Sequence, residues 1–125
     1  MIDFEQKGIF SRLAKEDNSI YLSQISPMLV NGEEIVWTFQ GFRDGVVFTN
    51  KRIISINIQG ITGKKKDYSS LPYNKIQSFS VETAGTLDLD TELVLWFSGL
   101  GKVKFEFVKN CNISEIAKFI SEKVL

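Results

Sequence analysis

The chain has 125 residues, which suits a single domain that can bury a core without disulfides or bound metal. Hydrophobic residues make up 43% and charged residues 24%, as in an ordinary globular protein, and only two prolines argue against disorder. Fifteen basic residues balance fifteen acidic ones, so the chain has no overall attraction for DNA or RNA, and we expect no nucleic-acid partner.

The first thirty residues predict a helical extension. Apolar residues recur there close to helical spacing, at Phe4, Ile9, Phe10, Leu13 and Ala14. Asp3 is a candidate N-cap for this helix. A second short helix is predicted to carry Ile20, Tyr21 and Ile25. The dipeptide Asn31-Gly32 is a turn signal, so we divide the chain into an extension, residues 1–30, and a domain, residues 31–125.

From residue 34 onward, short stretches rich in β-branched and aromatic residues follow one another. They predict seven strands, at residues 34–40, 46–49, 53–58, 66–71, 75–82, 87–97 and 102–109. Asn50-Lys51 predicts a tight hairpin connection, where asparagine tolerates a positive φ. Arg52, beside this turn, is expected to pair with an acidic neighbour.

The last twelve or so residues predict one amphipathic helix. Asn112 is its candidate N-cap, with Glu115 as the capping-box partner. Its apolar stripe consists of Ile113, Ile116, Ala117, Ile120 and Val124. A meander of strands followed by a single helix predicts a mainly β (α+β) fold, a curled sheet or partly open barrel that the C-terminal helix caps.

The residue inventory argues against catalysis. The chain has no histidine, which excludes Ser-His-Asp chemistry and leaves Cys111 without the usual base. The dipole of the following helix could lower the pKa of Cys111, but we interpret this residue as partly buried and structural. No glycine-rich nucleotide loop is present, so we expect neither an enzyme nor a cofactor. A lone cysteine, no signal peptide and no apolar run of membrane-spanning length predict a cytoplasmic protein.

Several motifs, in the same order, are similar to those of the bacterial pleckstrin-homology-like family, long described as a domain of unknown function. They occupy residues 42–54, 59–66, 71–73, 81–85, 87–93 and 96–99. The resemblance covers roughly residues 31–125, and a helical extension also fits the family. It implies a seven-stranded pleckstrin-homology-like barrel with a C-terminal helix. It also implies ring-shaped homo-oligomers and no established enzymatic activity.

Four basic residues are candidates for contacting an anion. Lys64, Lys65 and Lys66 form the densest run of charge in the chain, and Arg43 lies in the turn that lipid-binding pleckstrin domains use for phosphate. The same run also fits a solvated hairpin loop, which is the more ordinary interpretation. Arg43 stands alone beside Asp44, which weakens the case for inositol-phosphate recognition.

A second set of residues is a candidate self-association surface. It comprises Phe79, Val81, Glu82, Thr83, Gly85, Leu87, Asp88, Asp90 and Glu92. We expect Leu87 and Leu89 to share the inner face of their strand with Leu93, while the three acidic residues share the outer face. Those carboxylates are more suited to meeting Lys or Arg of a neighbouring strand or subunit than to binding metal. Gly85 fits either a bulge or a contact with another subunit's backbone.

The sequence therefore favours a non-catalytic interaction or scaffold module that assembles with itself, because an incompletely closed sheet exposes backbone groups that seek partners. The alternative is a peripheral binder of anionic membrane lipid or phosphate through Lys64, Lys65 and Lys66. A third hypothesis is the capture of a protein or peptide in a groove near Phe97 and the C-terminal helix.

Overall fold

The computed structural model describes residues 1–4, 9–109 and 111–125. Eight strands are present in these ranges: β1 (Ile9–Glu16), β2 (Ile35–Gln40), β3 (Gly45–Thr49), β4 (Arg52–Gln59), β5 (Lys65–Pro72), β6 (Ile76–Glu82), β7 (Thr91–Phe97) and β8 (Gly101–Phe107). The helices are α1 (Leu22–Ile25), α2 (Ile113–Val124) and two 3₁₀ helices, Ser26–Met28 and Tyr73–Lys75.

All eight strands belong to one curled sheet, in the order β5-β4-β3-β2-β1-β8-β7-β6. Every neighbouring pair is antiparallel except β1 and β8, which run parallel. The strand β1 therefore joins two antiparallel meanders, β2 to β5 and β6 to β8. The fold is the predicted mainly β architecture with a C-terminal helix, with one more strand in the sheet than the sequence predicted.

The concave face of the sheet encloses an aromatic core. Phe10 on β1 stacks on Phe105 of β8 with ring centroids 5.2 Å apart. Phe39 on β2 meets Phe107 edge-on at 4.8 Å. Such pairs add to the stabilisation that comes from burying large apolar surfaces. The core is thus formed by residues from both meanders, with β1 between them.

The helix α2 packs on this core with its apolar stripe. Ile113, Ile116 and Ile120 are buried, and Phe119 lies edge-on to Trp37 at 5.0 Å. The predicted N-cap is confirmed, since Asn112 Oδ1 accepts a hydrogen bond from Glu115 N at 3.2 Å. The helix contacts β6, β7 and the 3₁₀ helix Tyr73–Lys75, so it covers the inner core beside one edge of the sheet.

A second, smaller core lies on the convex face. Tyr21 and Ile25, from the segment around α1, pack against Val47, Ile54 and Ile56. Because β3 is buried on both faces, its sequence is a continuous apolar run without alternation. Any side chain at residue 45 would collide with the Tyr21 ring, which explains the glycine at the start of β3.

The prediction of a first helix near Phe4 to Ala14 is wrong. Residues 9–16 form β1, in the middle of the sheet, and residues 5–8 lie outside the described residues. A register shift between Phe10 and Leu13, with Arg12 at a φ of 55°, turns both apolar side chains into the core three positions apart. That spacing imitates a helix. The second predicted helix is confirmed in part as α1 and the following 3₁₀ helix: Ile25 lies in α1, whereas Ile20 and Tyr21 belong to the turn before it.

The seven strands predicted after residue 34 correspond to β2 through β8, but one begins later than expected. The predicted strand at residues 87–97 starts only at Thr91, and residues 83–90 form a loop. Leu87 is 100% exposed and Leu89 is 51% exposed, so neither belongs to the inner face. The expectation that Asp88, Asp90 and Glu92 share one strand face is also wrong. The alternation of leucine and aspartate in this part of the sequence lies in an irregular loop, so it does not reflect a strand.

Candidate functional site

The candidate site is the edge formed by β6 and the loop at residues 83–90. In the strand order of the described residues, β5 and β6 stand at the two ends of the sheet. Each therefore has one side without a neighbouring strand. Phe79 and Val81 on β6 pack inward against the core, while Ser78 and Ser80 are exposed. An edge strand with accessible backbone groups can accept a strand from another chain.

The nine residues predicted for self-association do lie together, at the end of the β6–β7 hairpin. Phe79, Val81 and Glu82 belong to β6, and Glu92 belongs to β7. The other five occupy the connecting loop: Thr83, Gly85, Leu87, Asp88 and Asp90. The first four of these five are exposed and Asp90 is half-buried.

The backbone of this loop is organised by its own short turn. Gly85 N donates to the carbonyl of Asp88 at 2.7 Å, and Asp88 Oδ1 accepts from Asp90 N at 3.0 Å. Gly85 does not have a positive φ, and a methyl group there would meet only the Asp88 carbonyl, at an ordinary 3.6 Å. Gly85 therefore lies in a loop and not in a β-bulge, and a contact with another subunit's backbone stays a prediction.

Three glutamates form one cross-strand row on the outer face of this hairpin and its neighbour. The register places Glu82 opposite Glu92, and Glu92 opposite Glu106. Like charges directly opposite each other repel. Lys104 Nζ lies 3.6 Å from Glu92 Oε2 and partly compensates, which confirms that a neighbouring strand supplies a cation to Glu92. A basic partner placed here would relieve the rest of the repulsion.

An exposed aromatic residue that the sequence patterns did not single out lies one strand in from this edge. Trp96 on β7 is 46% exposed, stands opposite Ser78 and, with Val94 and Ser80, lines a shallow groove along β6. The alternation along β7 could have indicated this exposure. Trp96 lies between Leu95 and Phe97, which point inward, so its own side chain faces outward. Together with Leu87 and Leu89, it makes the edge considerably more apolar than expected.

The four candidate anion contacts belong to two different connections: Arg43 lies in the β2–β3 turn, and the three lysines follow the β4–β5 loop. Lys64, Lys65 and Lys66 are exposed at the start of β5, and Lys66 Nζ donates to Gln24 Oε1 at 3.2 Å. Arg43 Nη2 donates to the carbonyl of Gly60 at 2.8 Å, in the loop that leads to these lysines. The structure therefore places Arg43 beside the lysine loop.

A buried ion pair lies beneath the β3–β4 turn and has a structural role. Arg52 pairs with Glu33, as predicted for Arg52, and Thr49 Oγ1 donates to Glu33 Oε2 at 2.7 Å. Burial raises the pKa of Glu33, but hydrogen bonds from Arg52, Thr49 and Val30 N outweigh it and lower the pKa overall. An ionised carboxylate held by this many donors is not available as a general base.

Asn50 stabilises the turn in a different way from that expected. It does not have a positive φ; instead its Oδ1 accepts from Glu34 N at 2.8 Å and its Nδ2 donates to Gly32 O at 3.0 Å. Tyr73 joins the same cluster by donating to the carbonyl of Thr49 at 2.6 Å, and burial raises the pKa of its phenol. These contacts explain the polar residues near the turn without a ligand.

Cys111 lies half-buried just before α2, beside Lys15, Trp37 and Glu115. Burial raises the pKa of its thiol, so the helix dipole does not activate it. The expected groove residues Phe97 and Ile120 are buried in the core. Among the described residues, no three Asp, Glu, His or Cys side chains are arranged to hold a metal ion. No helix in the described ranges is long and apolar enough to span a bilayer.

Comparisons with known proteins agree with this architecture. The chain is 40% identical over 116 residues to the uncharacterized protein YjqA of Bacillus subtilis, covering 91% of this chain and 93% of the relative. A solved structure described as a DUF1696 family protein with a pleckstrin-homology domain, from Shewanella loihica, superposes with a TM-score of 0.80 at 38% identity. That match covers 93% of this chain and all of the other.

A pleckstrin-homology domain from Shewanella amazonensis superposes with a TM-score of 0.66 at 41% identity, over 88% of this chain and 90% of the other. The family model described as the bacterial PH domain matches residues 6–124, nearly the whole chain. The strand order, the C-terminal helix and these matches lead to one conclusion: the chain belongs to the bacterial pleckstrin-homology domain family.

Proposed function

We propose that this protein is a non-catalytic module that assembles with copies of itself through β6 and the loop at residues 83–90. The observation that carries the proposal is the coincidence of an unpaired sheet edge with exposed apolar side chains. Leu87, Leu89 and Trp96 all lie along or beside the edge strand. Exposed leucines next to unpaired backbone groups are unfavourable in a monomer, because they promote aggregation. The same groups can form a specific contact with a second copy of the chain.

A ring is the form of assembly we favour. The other edge strand, β5, differs in sequence from β6: it begins with Lys65 and Lys66, next to its loop, whereas β6 ends with Val81 and Glu82, next to its own loop. A contact between two different surfaces of the same chain is head-to-tail, and it closes into a ring when the rotation allows. The row of Glu82, Glu92 and Glu106 offers negative charge that basic residues of a neighbouring copy would neutralise. A cytoplasmic location remains a prediction from the single cysteine.

The mass of the particle in solution tests the proposal. Size-exclusion chromatography with light scattering, at tens of micromolar, is expected to give a multiple of the chain mass. Replacing both loop leucines, Leu87→Asp with Leu89→Asp, is expected to reduce the mass to that of one chain. Both side chains are exposed, so the fold tolerates the change.

Leu100→Asp is the matched control, because Leu100 is 52% exposed in the turn at the opposite end of β7. It is expected to leave the assembled mass unchanged. A wild-type protein that elutes as a single chain would refute self-assembly. Equal loss of mass in the loop variant and the Leu100 control would refute the assignment to the two loop leucines.

A further inference from the structure

Strands β1 and β8 separate before β1 ends, and the separation opens a cleft. Among the described residues, their last backbone contact is the hydrogen bond from Val108 N to the carbonyl of Leu13, at 3.0 Å. Residues 14–16 continue along β2 alone, while the chain after β8 leads to α2. The cleft therefore lies in the middle of the sheet, away from the edge strands β5 and β6.

This cleft has a wide part and a narrow part, which share Lys15 and Cys111. The wide part has a volume of about 470 Å³ and lies between β1 and the segment that follows β8. The narrow part, of about 80 Å³, reaches towards α2 and has apolar side chains in its wall: Trp37, Phe39 and Ile116. The wide part alone falls within the range of volumes that small-molecule sites have.

Positive charge dominates the wide part. Its charged residues are Arg12, Lys15 and Lys109, which are all exposed, and no ion pair between described residues involves them. The narrow part contributes one carboxylate, that of Glu115 in the first turn of α2. Because the whole chain has no net charge, three cations around one cleft are a local concentration and not a consequence of composition.

The backbone of Arg12 is strained where it borders the cleft. With a φ of 55°, Arg12 is the only non-glycine residue at positive φ in the part of the chain that the structure describes. Such conformations cost free energy and persist where the surrounding structure imposes them, often beside binding sites. The same irregularity shifts the register between Phe10 and Leu13 and places Arg12 in the wall of the wide part.

We propose that this cleft binds a small organic anion with an apolar body, such as a medium-chain carboxylate. The anionic group lies in the wide part, where Lys15 and Lys109 can donate charge-assisted hydrogen bonds. The apolar body extends towards Trp37 and Phe39, which an inorganic anion would leave uncovered. The cleft is separate from β6 and from residues 83–90, so this binding does not depend on self-assembly.

Octanoate is the probe that tests the proposal on the full-length chain, and Cys111 reports its binding. Cys111 is the only cysteine of the chain and lines both parts of the cleft, so a bound ligand shields it from iodoacetamide. Octanoate is expected to slow alkylation with a half-maximal effect on the order of 1 mM, as suits a ligand of about ten heavy atoms. Acetate lacks the apolar chain and octanamide lacks the charge, so neither is expected to protect the thiol at that concentration.

A pair of lysine variants locates the anionic group. Lys15→Gln with Lys109→Gln is expected to raise the half-maximal octanoate concentration at least about tenfold. The matched control, Lys51→Gln with Lys75→Gln, removes the same charge from the β3–β4 turn and from the second 3₁₀ helix, and it is expected to leave that concentration unchanged. All four lysines are exposed, so both variants are expected to fold. Each variant is compared with its own rate without ligand, because Lys15 lies beside the thiol.

Three results would overturn the proposal. The first is alkylation of the wild-type protein that octanoate does not slow at roughly 10 mM. The second is equal protection by octanamide, which would show that the cleft does not select an anion. The third is unchanged protection of the Lys15/Lys109 variant, which would place octanoate away from these cations. The mass of the particle in solution is expected to be the same with and without octanoate, so failure of this test is distinct from failure of self-assembly.

Discussion

Arg52 and Glu33 face each other as a two-pronged ion pair: Nε lies 2.9 Å from Oε2 and Nη2 lies 3.0 Å from Oε1. The same guanidinium donates to the carbonyl of Met28 at 2.7 Å and to Ser70 Oγ at 2.9 Å. One side chain thus ties the segment before β2 to β4, β5 and the 3₁₀ helix that follows α1. Charge-assisted bidentate hydrogen bonds are among the strongest that proteins form.

Glu33→Gln is expected to lower the free energy of unfolding by about 3 kcal/mol at neutral pH, since it leaves Arg52 with an unpaired, partly buried charge. Chemical denaturation measures this difference. Glu34→Gln is the matched control, because Glu34 is adjacent and exposed, and it is expected to stay within about 0.5 kcal/mol of the wild type. Equal effects of the two substitutions would contradict a special role for the pair.

The same pair predicts how stability depends on pH. Glu33 has a lowered pKa in the folded protein, so the unfolded chain binds its proton more readily. The stabilisation is therefore complete above the ordinary glutamate pKa near 4.5 and is lost as pH falls through the lower, folded value. The stability difference between wild type and Glu33→Gln should shrink over that acidic range. A difference that stays constant down to strongly acidic pH would disprove the assignment.

Gly45→Ala is expected to destabilise the fold by about 1 to 3 kcal/mol, because a methyl group there would overlap the buried Tyr21 ring. The cost should be smaller in a Tyr21→Ala background, and a double-mutant cycle measures that coupling. Gly85→Ala is the comparison, since its new methyl group would meet no atom closer than 3.6 Å. A comparable loss in both variants would contradict the assignment of the cost to this overlap.

Two phenylalanines that look alike in the sequence should respond very differently to truncation. Phe10 is 1% exposed and stacks on Phe105, so Phe10→Ala is expected to cost about 3 to 5 kcal/mol. Phe42→Ala removes an exposed ring and is expected to change stability by less than about 0.5 kcal/mol. Thermal and urea denaturation give both values. A small effect at Phe10 would mean that β1 is not part of the folded sheet.

Cys111 is expected to react slowly with iodoacetamide at neutral pH, because burial raises the pKa of its thiol. The rate should keep rising with pH beyond the usual thiol pKa of about 8.5, as the thiolate fraction grows. A short unfolded peptide with one cysteine serves as the reference. A rate that levels off below pH 8 would show that the helix dipole, rather than burial, controls this thiol.

Local patterns in the sequence predicted most of the secondary structure. The clean alternation at Val103, Phe105 and Phe107 appears as β8, and the Asn112 cap and isoleucine stripe appear as α2. These elements follow from short-range rules of side-chain direction and capping, which hold whatever the strand pairing. Where the chain departs from regular geometry, as at the register shift between Phe10 and Leu13, the same rules gave the wrong element.

The candidate sites likewise combine features that the sequence predicted with features that only the fold revealed. The sequence identified Lys64, Lys65 and Lys66 by composition, but it could not show that Arg43 touches their loop through Gly60. It placed Leu87 and Leu89 in the core, because alternation alone does not reveal where a strand begins. The exposure of Trp96 and Phe42 also depends on which faces other segments cover, and that is a property of the whole fold.

The amino-acid sequence by itself determined the class of the protein: a run of strands, one closing helix and an inventory without histidine. Only the tertiary structure decided that residues 9–16 lie in the sheet, that β5 and β6 are its edges, and which apolar side chains face solvent. The physical reason is the separation along the chain over which each effect acts. Periodicity and capping act over a few neighbouring residues, whereas strand order and burial depend on contacts between segments far apart in the chain.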